Sequence, residues 1–127
     1  MNIQENLKPT GLVKIVHSNA LGETIHEFEV PNLVVTSGKQ HIAAKIAATT
    51  NSPVAMTNMA IGTGSTSPTA GDTTLGTENG RVALSSTVVS TNTVTYTATF
   101  PAGTGTGAVT EAGVFNASSS GDRKSVV

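Results

Sequence analysis

The chain has 127 residues, of which 12% are charged and 37% hydrophobic, with a formal net charge of −1 at pH 7. This length indicates one domain, and the charge balance excludes a protein that binds nucleic acid through clustered Lys and Arg. Cysteine is absent, which excludes disulfides and thiolate chemistry. Because aromatic residues make up only 3% of the chain, we expect a thin core that favours burial against partner subunits.

The first thirty residues predict an N-terminal arm followed by a β-hairpin. Residues 1–10 form the predicted arm, and residues 11–127 are predicted to form a single domain. Within this domain the hairpin covers residues 11–30, with its strands at Leu12–His17 and Glu23–Val30 and its turn at Asn19–Gly22. Pro31 is expected to end the second strand, because proline cannot donate a hydrogen bond to a sheet.

The segment "TSGKQHIAAKIAATT" predicts one short helix at about Ser37–Ala48. Thr36 or Ser37 can cap the N-terminus of this helix. Its predicted apolar stripe has the spacing of one helical face. The residues of this stripe are Ile42, Ala43, Ile46 and Ala47.

From Val54 onward the sequence alternates with a period of two, which predicts strands. We predict one strand in "VAMTNMAIG", a hairpin of "RVALSSTVVS" and "TVTYTATF" around Thr91 and Asn92, a strand in "AVTEAGVFNA", and the start of another in "RKSVV". In "TVTYTATF" the threonines face water and the alternate residues, among them Tyr96, face the core. The predicted fold is mostly β: an antiparallel β-sandwich with one short helix, its sheets formed by residues 54–127.

The longest connection, "MAIGTGSTSPTAGDTTLGTENGR" at Met59–Arg81, has the glycine and hydroxyl content of a phosphate-binding loop. It has no lysine, it contains Pro68, and no predicted helix follows it, so the requirements of a nucleotide-binding loop are not met. We predict a connection that makes contacts with a neighbouring subunit or shell, and that holds no small ligand. The candidate contact residues are Ser65, Thr66, Pro68, Thr69, Asp72 and Leu75. Deleting Ser65–Asp72 is expected to weaken such contacts and to leave the fold intact.

Carboxylates and histidines are the candidate groups for metal binding or catalysis in this sequence. Asp72 and Glu78 could bind a hard cation, but a local turn for Asp72 and an ion pair of Glu78 with Arg81 or a lysine are favoured. Glu111 interrupts a small, apolar strand, where an unpaired carboxylate is costly, so we predict a structural ion pair with Arg81. His17 and His26 are predicted to lie on opposing arms of the first hairpin; two ligands do not make a metal site, so surface histidines are favoured. We predict no enzyme, no cofactor and no metal.

Three segments together resemble a family of small virion structural proteins of tailed bacteriophages, which are described variously as tail-fibre-like, head-decorating or structural. These segments are "EVPNLVVTSGKQHIAAKIA", "MTNMAIGTGSTSPTAGDTTLGTENGRVAL" and "VTYTATFPAGTGTGAVTEAGVFNAS", and the match runs from about Glu29 to Ser118. The chain departs from the family at Asn79-Gly80, where relatives have Leu-Ala or a similar pair before the arginine. It also ends at "GDRKSVV", where relatives continue with further strands.

The second departure leaves three alternatives: the last strands are absent, a neighbouring subunit completes the sheet, or the sequence is a piece of a longer chain. The resemblance implies a protein of the virion, assembled in the host cytoplasm, whose partners are the major capsid protein or tail proteins. We expect a homo-oligomer, with a trimer as one candidate, and neither a membrane nor a nucleic-acid partner. The favoured function is a capsid decoration (cement) protein that stabilises the shell. The alternative is a tail-associated module of a fibre or baseplate, or one that binds a receptor.

Overall fold

The computed structural model describes residues 1–47, 53–120 and 123–126 of the chain. It contains eight strands and one helix within these residues. The strands are β1 Gly11–Ser18, β2 Thr24–Asn32, β3 Asn58–Gly62, β4 Glu78–Ala83, β5 Ser86–Ser90, β6 Thr93–Thr97, β7 Glu111–Phe115 and β8 Arg123–Val126, and the helix is α1 Thr36–Ala47. The prediction of a mostly β chain with antiparallel sheets and one short helix is therefore confirmed.

The strands form three separate sheets in the described part of the chain. One sheet has four strands in the order β4-β3-β7-β8, and two further sheets are the ribbons β1-β2 and β5-β6. The predicted antiparallel strands are thus divided among one central sheet and two ribbons, a pairing that the sequence did not define. The physical reason is that a period-two pattern defines which residues share a face, whereas it does not define which strands pair.

The first ribbon has the predicted turn, but its second strand is longer than predicted. The Asn19 side chain accepts hydrogen bonds from the backbone N–H groups of Leu21 and Glu23 and so closes the turn. Pro31 lies inside β2, opposite Leu12, and does not end the strand at Val30. A proline is tolerated there because, among the described strands, β2 pairs with β1 alone, so its other edge requires no donor.

Helix α1 begins at Thr36, within one residue of the prediction, and is described as far as Ala47, so the predicted end at Ala48 lies outside the described residues. The backbone N–H of Thr36 donates to the carbonyl of Ala70, which attaches the start of the helix to the Met59–Arg81 connection. The predicted apolar stripe is only partly covered, since Ile46 remains 63% exposed.

The central sheet is built around β3, which pairs antiparallel with β4 on one side and with β7 on the other. Strand β8 pairs with β7, so the strand whose start was predicted at "RKSVV" joins this sheet. The strand predicted at "RVALSSTVVS" is in fact two strands in different sheets. Leu84 donates to the carbonyl of Thr57 beside the central sheet, and Ser85 donates to the carbonyl of Thr97 in the second ribbon, so the chain changes sheets between these two residues.

The core is small, as the composition predicted. Val35, Ala60, Leu75 and Phe115 form its buried cluster, and Leu33 packs against it. The Thr91–Asn92 hairpin is confirmed, and the threonines of β6 are exposed while Tyr96 is half-buried. This burial raises the pKa of the Tyr96 phenol, because desolvation disfavours the charged form.

Candidate functional site

The Glu111 carboxylate is the centre of the glycine-rich connection. Glu111 is the first residue of β7 and is only 7% exposed. Its Oε1 atom accepts hydrogen bonds from the backbone N–H groups of Gly64 (2.9 Å) and Thr77 (2.7 Å). Its Oε2 atom accepts a third from the N–H of Gly76 (2.8 Å). Three backbone donors therefore converge on one internal carboxylate, which removes much of the cost of burying its charge.

The backbone comes so close to this carboxylate that two of the surrounding positions have no room for a side chain. A Cβ atom on Gly62 or on Gly64 would lie 2.5 Å from the Oε1 atom of Glu111, closer than nonbonded atoms can come. Gly76 is less crowded, since its Cβ would lie 3.5 Å from Oε2. Only residues without a side chain at positions 62 and 64 let the backbone reach the carboxylate. The two glycines of "GTG" thus allow the end of β3 to lie in close contact with the start of β7.

The connection between β3 and β4 therefore resembles an anion-binding loop whose anion is part of the protein. The converging N–H groups have the chemistry that binds phosphate in other proteins. Here these three donors are used by Glu111, which joins the two ends of the connection to β7. The hydroxyl of Thr110 adds a further link by donating to the carbonyl of Gly64. This geometry supports an architectural role for the glycines.

Arg81 does not form the predicted ion pair with Glu111; it pairs with Glu78. The guanidinium of Arg81 instead forms a two-point contact with Glu78, Nε to Oε1 at 2.8 Å and Nη2 to Oε2 at 2.6 Å. Its Nη1 atom donates to the carbonyls of Ala117 and Ser120. The physical reason is the register: Arg81 lies opposite Ala60, whereas Glu111 lies opposite Gly62 at the end of β3.

Arg81 also lies over the ring of Phe115, with its central carbon 3.8 Å from the ring centroid. Its side chain is only 9% exposed. A guanidinium in this position adds a cation–π contact to the ion pair with Glu78. The predicted pairing of Glu78 with Arg81, made as an alternative to cation binding, is confirmed.

Four of the six predicted contact residues lie on the surface. Ser65, Thr66, Pro68 and Thr69 are exposed. Asp72 is half-buried, and its carboxylate accepts hydrogen bonds from the backbone N–H and the hydroxyl of Thr69. The local role predicted for Asp72 is thus confirmed.

The prediction that Leu75 contacts a neighbouring subunit or the shell does not fit its position in the structure. It is 5% exposed and packs in the core of its own chain, because the connection folds back over the central sheet. Deletion of Ser65–Asp72 would also remove the Ala70 carbonyl that receives the N–H of Thr36. We therefore now expect such a deletion to disturb the fold as well as any contacts, and substitution of exposed residues is the sharper test.

Sequence reasoning missed the pairing of Glu111 with backbone amides and the role of Gly80. A Cβ atom on Gly80 would lie 2.8 Å from the backbone nitrogen of Gly105, so the "GTGTG" turn packs directly on β4. The Asn79 side-chain amide donates to the carbonyl of Thr106 in the same turn. The Asn79-Gly80 pair, noted as a departure from the family, thus fits this contact. The sequence signal that could have indicated these contacts is the set of closely spaced glycines together with a single acidic residue, Glu111, in an apolar strand.

The exposed histidines and the helix are the features that bear on metal binding and on membrane insertion. His17 and His26 lie directly opposite each other and are exposed, as the hairpin predicted. Among the described residues, no group of three or more acidic or histidine side chains has the arrangement to hold a metal ion. In that same part of the chain, no helix is long and apolar enough to cross a membrane.

Both ribbons carry exposed apolar side chains. On the first ribbon, the exposed Phe28 and the half-buried Ile15 and Val30 line a cleft of about 260 Å³ whose other wall includes Val109 and Thr110. On the second ribbon, Val88, Val89 and Val94 are 55%, 70% and 46% exposed. Scattered apolar residues are normal on surfaces, but several on one ribbon mark a surface suited to protein contact.

These features define a small, mostly β structural domain, braced by an internal carboxylate and rich in exposed strand surface. Residues 26–121 match the family described as phage tail-collar fibre protein, N-terminal. The match covers more than half of the chain, and the chain belongs to this family. No curated protein and no solved structure matches it at a significant level.

Family membership identifies a structural component of the phage virion that is associated with the tail. It supports the resemblance to virion structural proteins and favours the tail-associated alternative over the decoration of the capsid, which nothing in the comparison supports. A family of structural proteins is also consistent with the prediction that the chain is not an enzyme.

Proposed function

We propose that this chain is the module through which a collar fibre is held on the phage tail, with its exposed ribbons and connection forming the contacts. The observation that carries the proposal is the family match over residues 26–121, whose description names the N-terminal part of a tail-collar fibre protein. A module of this kind needs a rigid frame and accessible surfaces, and it needs no catalytic group.

The frame is supplied by Arg81 and by the Glu111 cradle, which is the Glu111 carboxylate with its backbone donors from Gly64, Gly76 and Thr77. Glu111 fixes both ends of the β3–β4 connection, and Arg81 fixes β4 to the segment after β7 through the carbonyls of Ala117 and Ser120. These interactions link segments that are far apart in the sequence. A rigid connection can present Thr66, Pro68 and their neighbours in one geometry, which lowers the entropic cost of binding.

The position of the protein on the particle is the first test. We expect antibodies against the chain to label the tail in electron micrographs of intact phage, and we expect the protein to stay with isolated tails in few copies. Labelling spread over the head, with many copies released together with the shell protein, would overturn the proposal and favour capsid decoration.

The contacts of the connection are tested by a charge placed on its surface. Thr66→Lys changes an exposed residue of the connection, and Thr99→Lys changes an exposed threonine beyond β6 as the matched control. We expect both variants to fold with unchanged circular dichroism, and only Thr66→Lys to lower incorporation into tails, because burying an unpaired charge at an interface is costly. Equal incorporation of the two variants would remove the connection from the proposed contacts.

A further inference from the structure

The outer edge of β5 is open in this fold. Within the described part of the chain, β5 is hydrogen-bonded to β6 alone, so one side of the strand presents unpaired N–H and C=O groups. All five residues of β5 are exposed, whereas β6 has Tyr96 half-buried. An open strand edge is a template for pairing with another strand unless something blocks it.

Charge does not block this edge. From Val82 to Thr110 the sequence has no Asp, Glu, Lys, Arg or His. The first ribbon is different, because Lys14, Glu27 and Glu29 lie on its strands and Lys14 pairs with Glu27 at 2.7 Å. Charged side chains are a common means of preventing edge-to-edge pairing. The first ribbon has this protection and the second ribbon lacks it.

The sequence of β5 is nearly the same in both directions. Ser86-Thr87-Val88-Val89-Ser90 has serine at each end and β-branched residues between them. If two copies pair antiparallel about Val88, Ser86 lies opposite Ser90 of the other copy, Thr87 opposite Val89, and Val88 opposite Val88. Every pair then joins residue types that stabilise neighbouring strands.

We propose that the β5 edge is an interface between two copies of this chain, paired antiparallel about a two-fold axis at Val88. The two ribbons then form one sheet in the order β6-β5-β5-β6. Thr87 of each copy lies beside Val89 of the other, which covers the most exposed valine of the ribbon, 70% exposed in the single chain. The two-fold axis makes the interface self-complementary, so it closes at two copies along this edge.

The accessible surface of the chain is consistent with such a partner. It amounts to 8417 Å², compared with roughly 6300 Å² for a compact monomer of this size. The difference exceeds the roughly 800 Å² that each partner buries in a protein interface of standard size. This excess includes the mostly exposed residues 1–10 as well as the ribbons, so it shows room for a partner and does not by itself locate that partner at β5.

A charge-exchange experiment tests the proposed axis. Because Val88 is predicted to lie opposite itself, Val88→Lys places two lysines together and Val88→Glu places two carboxylates together. Sedimentation equilibrium of the wild-type chain should show a monomer–dimer equilibrium. We expect each variant alone to weaken dimerisation about tenfold or more, and an equimolar mixture of the two to restore it.

The matched control is Val16→Lys, which changes a valine of the first ribbon that is 47% exposed. This variant should dimerise as the wild-type chain does. A wild-type chain that stays monomeric at all concentrations would overturn the proposal. A mixture that associates no better than either variant alone would overturn it as well.

Cysteine cross-linking gives a second measurement that does not depend on charge. The chain has no native cysteine, so Val88→Cys provides a single thiol. Under mild oxidation, a thiol opposite its own symmetry mate should form a disulfide-linked dimer much faster than the thiol of Val16→Cys. Equal rates for the two variants would contradict pairing at β5. Both experiments use the purified chain, so their outcome is independent of its position on the phage.

Discussion

Single residues carry much of the architecture of this chain. Glu111 is an acidic side chain in an apolar strand, and the fold stabilises it with backbone N–H donors from Gly64, Gly76 and Thr77. Each of these N–H donors belongs to a glycine or, in the case of Thr77, to the residue that follows a glycine. The charge of Glu111 and the glycines around it are therefore parts of one structural unit.

Removing the Glu111 carboxylate should destabilise the fold. We expect Glu111→Ala to lower the free energy of unfolding by about 3–5 kcal/mol, because three backbone donors lose their acceptor and a cavity remains. Glu111→Gln should cost less, about 1–3 kcal/mol, since its amide oxygen still accepts from Gly64 and Thr77 while its NH₂ group faces the N–H of Gly76. Urea unfolding measures both variants. Equal stability of Glu111→Ala and the wild type would refute the structural role.

Two glycines of the connection should respond differently to alanine. Gly64→Ala places a methyl group 2.5 Å from the Oε1 atom of Glu111, whereas the space around a Cβ atom on Gly71 is open. Neither glycine has a positive φ, so crowding alone separates them. We expect Gly64→Ala to cost about 2 kcal/mol or more and Gly71→Ala to change stability by less than about 1 kcal/mol. Similar melting temperatures for the two variants would show that the backbone around the Glu111 carboxylate is not tightly packed.

At the level of elements, the two ribbons differ in how they interact with water. The first ribbon carries charges, and the pKa of Lys14 is raised by its hydrogen bond and its attraction to Glu27. The second ribbon carries no charged residue, and its strand β6 has threonines on one face and Val94 and Tyr96 on the other. The same secondary structure thus has a charged surface in one ribbon and an uncharged surface in the other, which is why only the second is proposed to pair.

Burial of Tyr96 predicts a pH dependence. Desolvation raises the phenol pKa in the folded state above the ordinary value of 10.0. The stability linked to the neutral phenol is therefore fully present below pH 10.0 and is lost as the pH rises through the folded-state value. Because Tyr96 is the only tyrosine and tryptophan is absent, tyrosinate absorbance reports on it alone.

We expect the absorbance of the folded chain to titrate at higher pH than that of the chain in urea. Tyr96→Phe is the control for stability, because it removes this titration and leaves that of Lys14 in place. Coincident titration curves in the folded and urea-unfolded states would contradict the burial of the phenol.

The whole molecule has a large surface for its small core. Among the described residues, the buried cluster consists of Val35, Ala60, Leu75 and Phe115, and the accessible surface exceeds what a compact monomer of this size exposes. Such a chain has little stability to spare, and association with other subunits stabilises the folded state by mass action. A virion component functions among many protein neighbours, so a thin core is compatible with its role.

The N-terminal arm should contribute little to the stability of the single chain. Residues 1–10 have no regular secondary structure, and Met1, Ile3 and Leu7 are exposed. We expect removal of these ten residues to change the free energy of unfolding by less than about 0.5 kcal/mol, as measured by urea denaturation. A loss of more than about 1 kcal/mol would mean that the arm packs on its own domain.

The sequence by itself determined the local structure. Period-two alternation located β6, Asn19 and Gly22 marked the first turn, and the composition predicted the thin core, because each of these depends on neighbouring residues alone. The order of motifs along the chain was also enough to indicate a phage virion protein.

Only the tertiary structure decided the partners of individual groups. The register of β3 with β4 and β7 placed Arg81 beside Phe115 and brought Glu111 to the glycines. It also buried Leu75, which the sequence pattern left as a surface candidate. These contacts join residues 34 to 47 positions apart in the case of Glu111, and local patterns do not specify which distant segments meet.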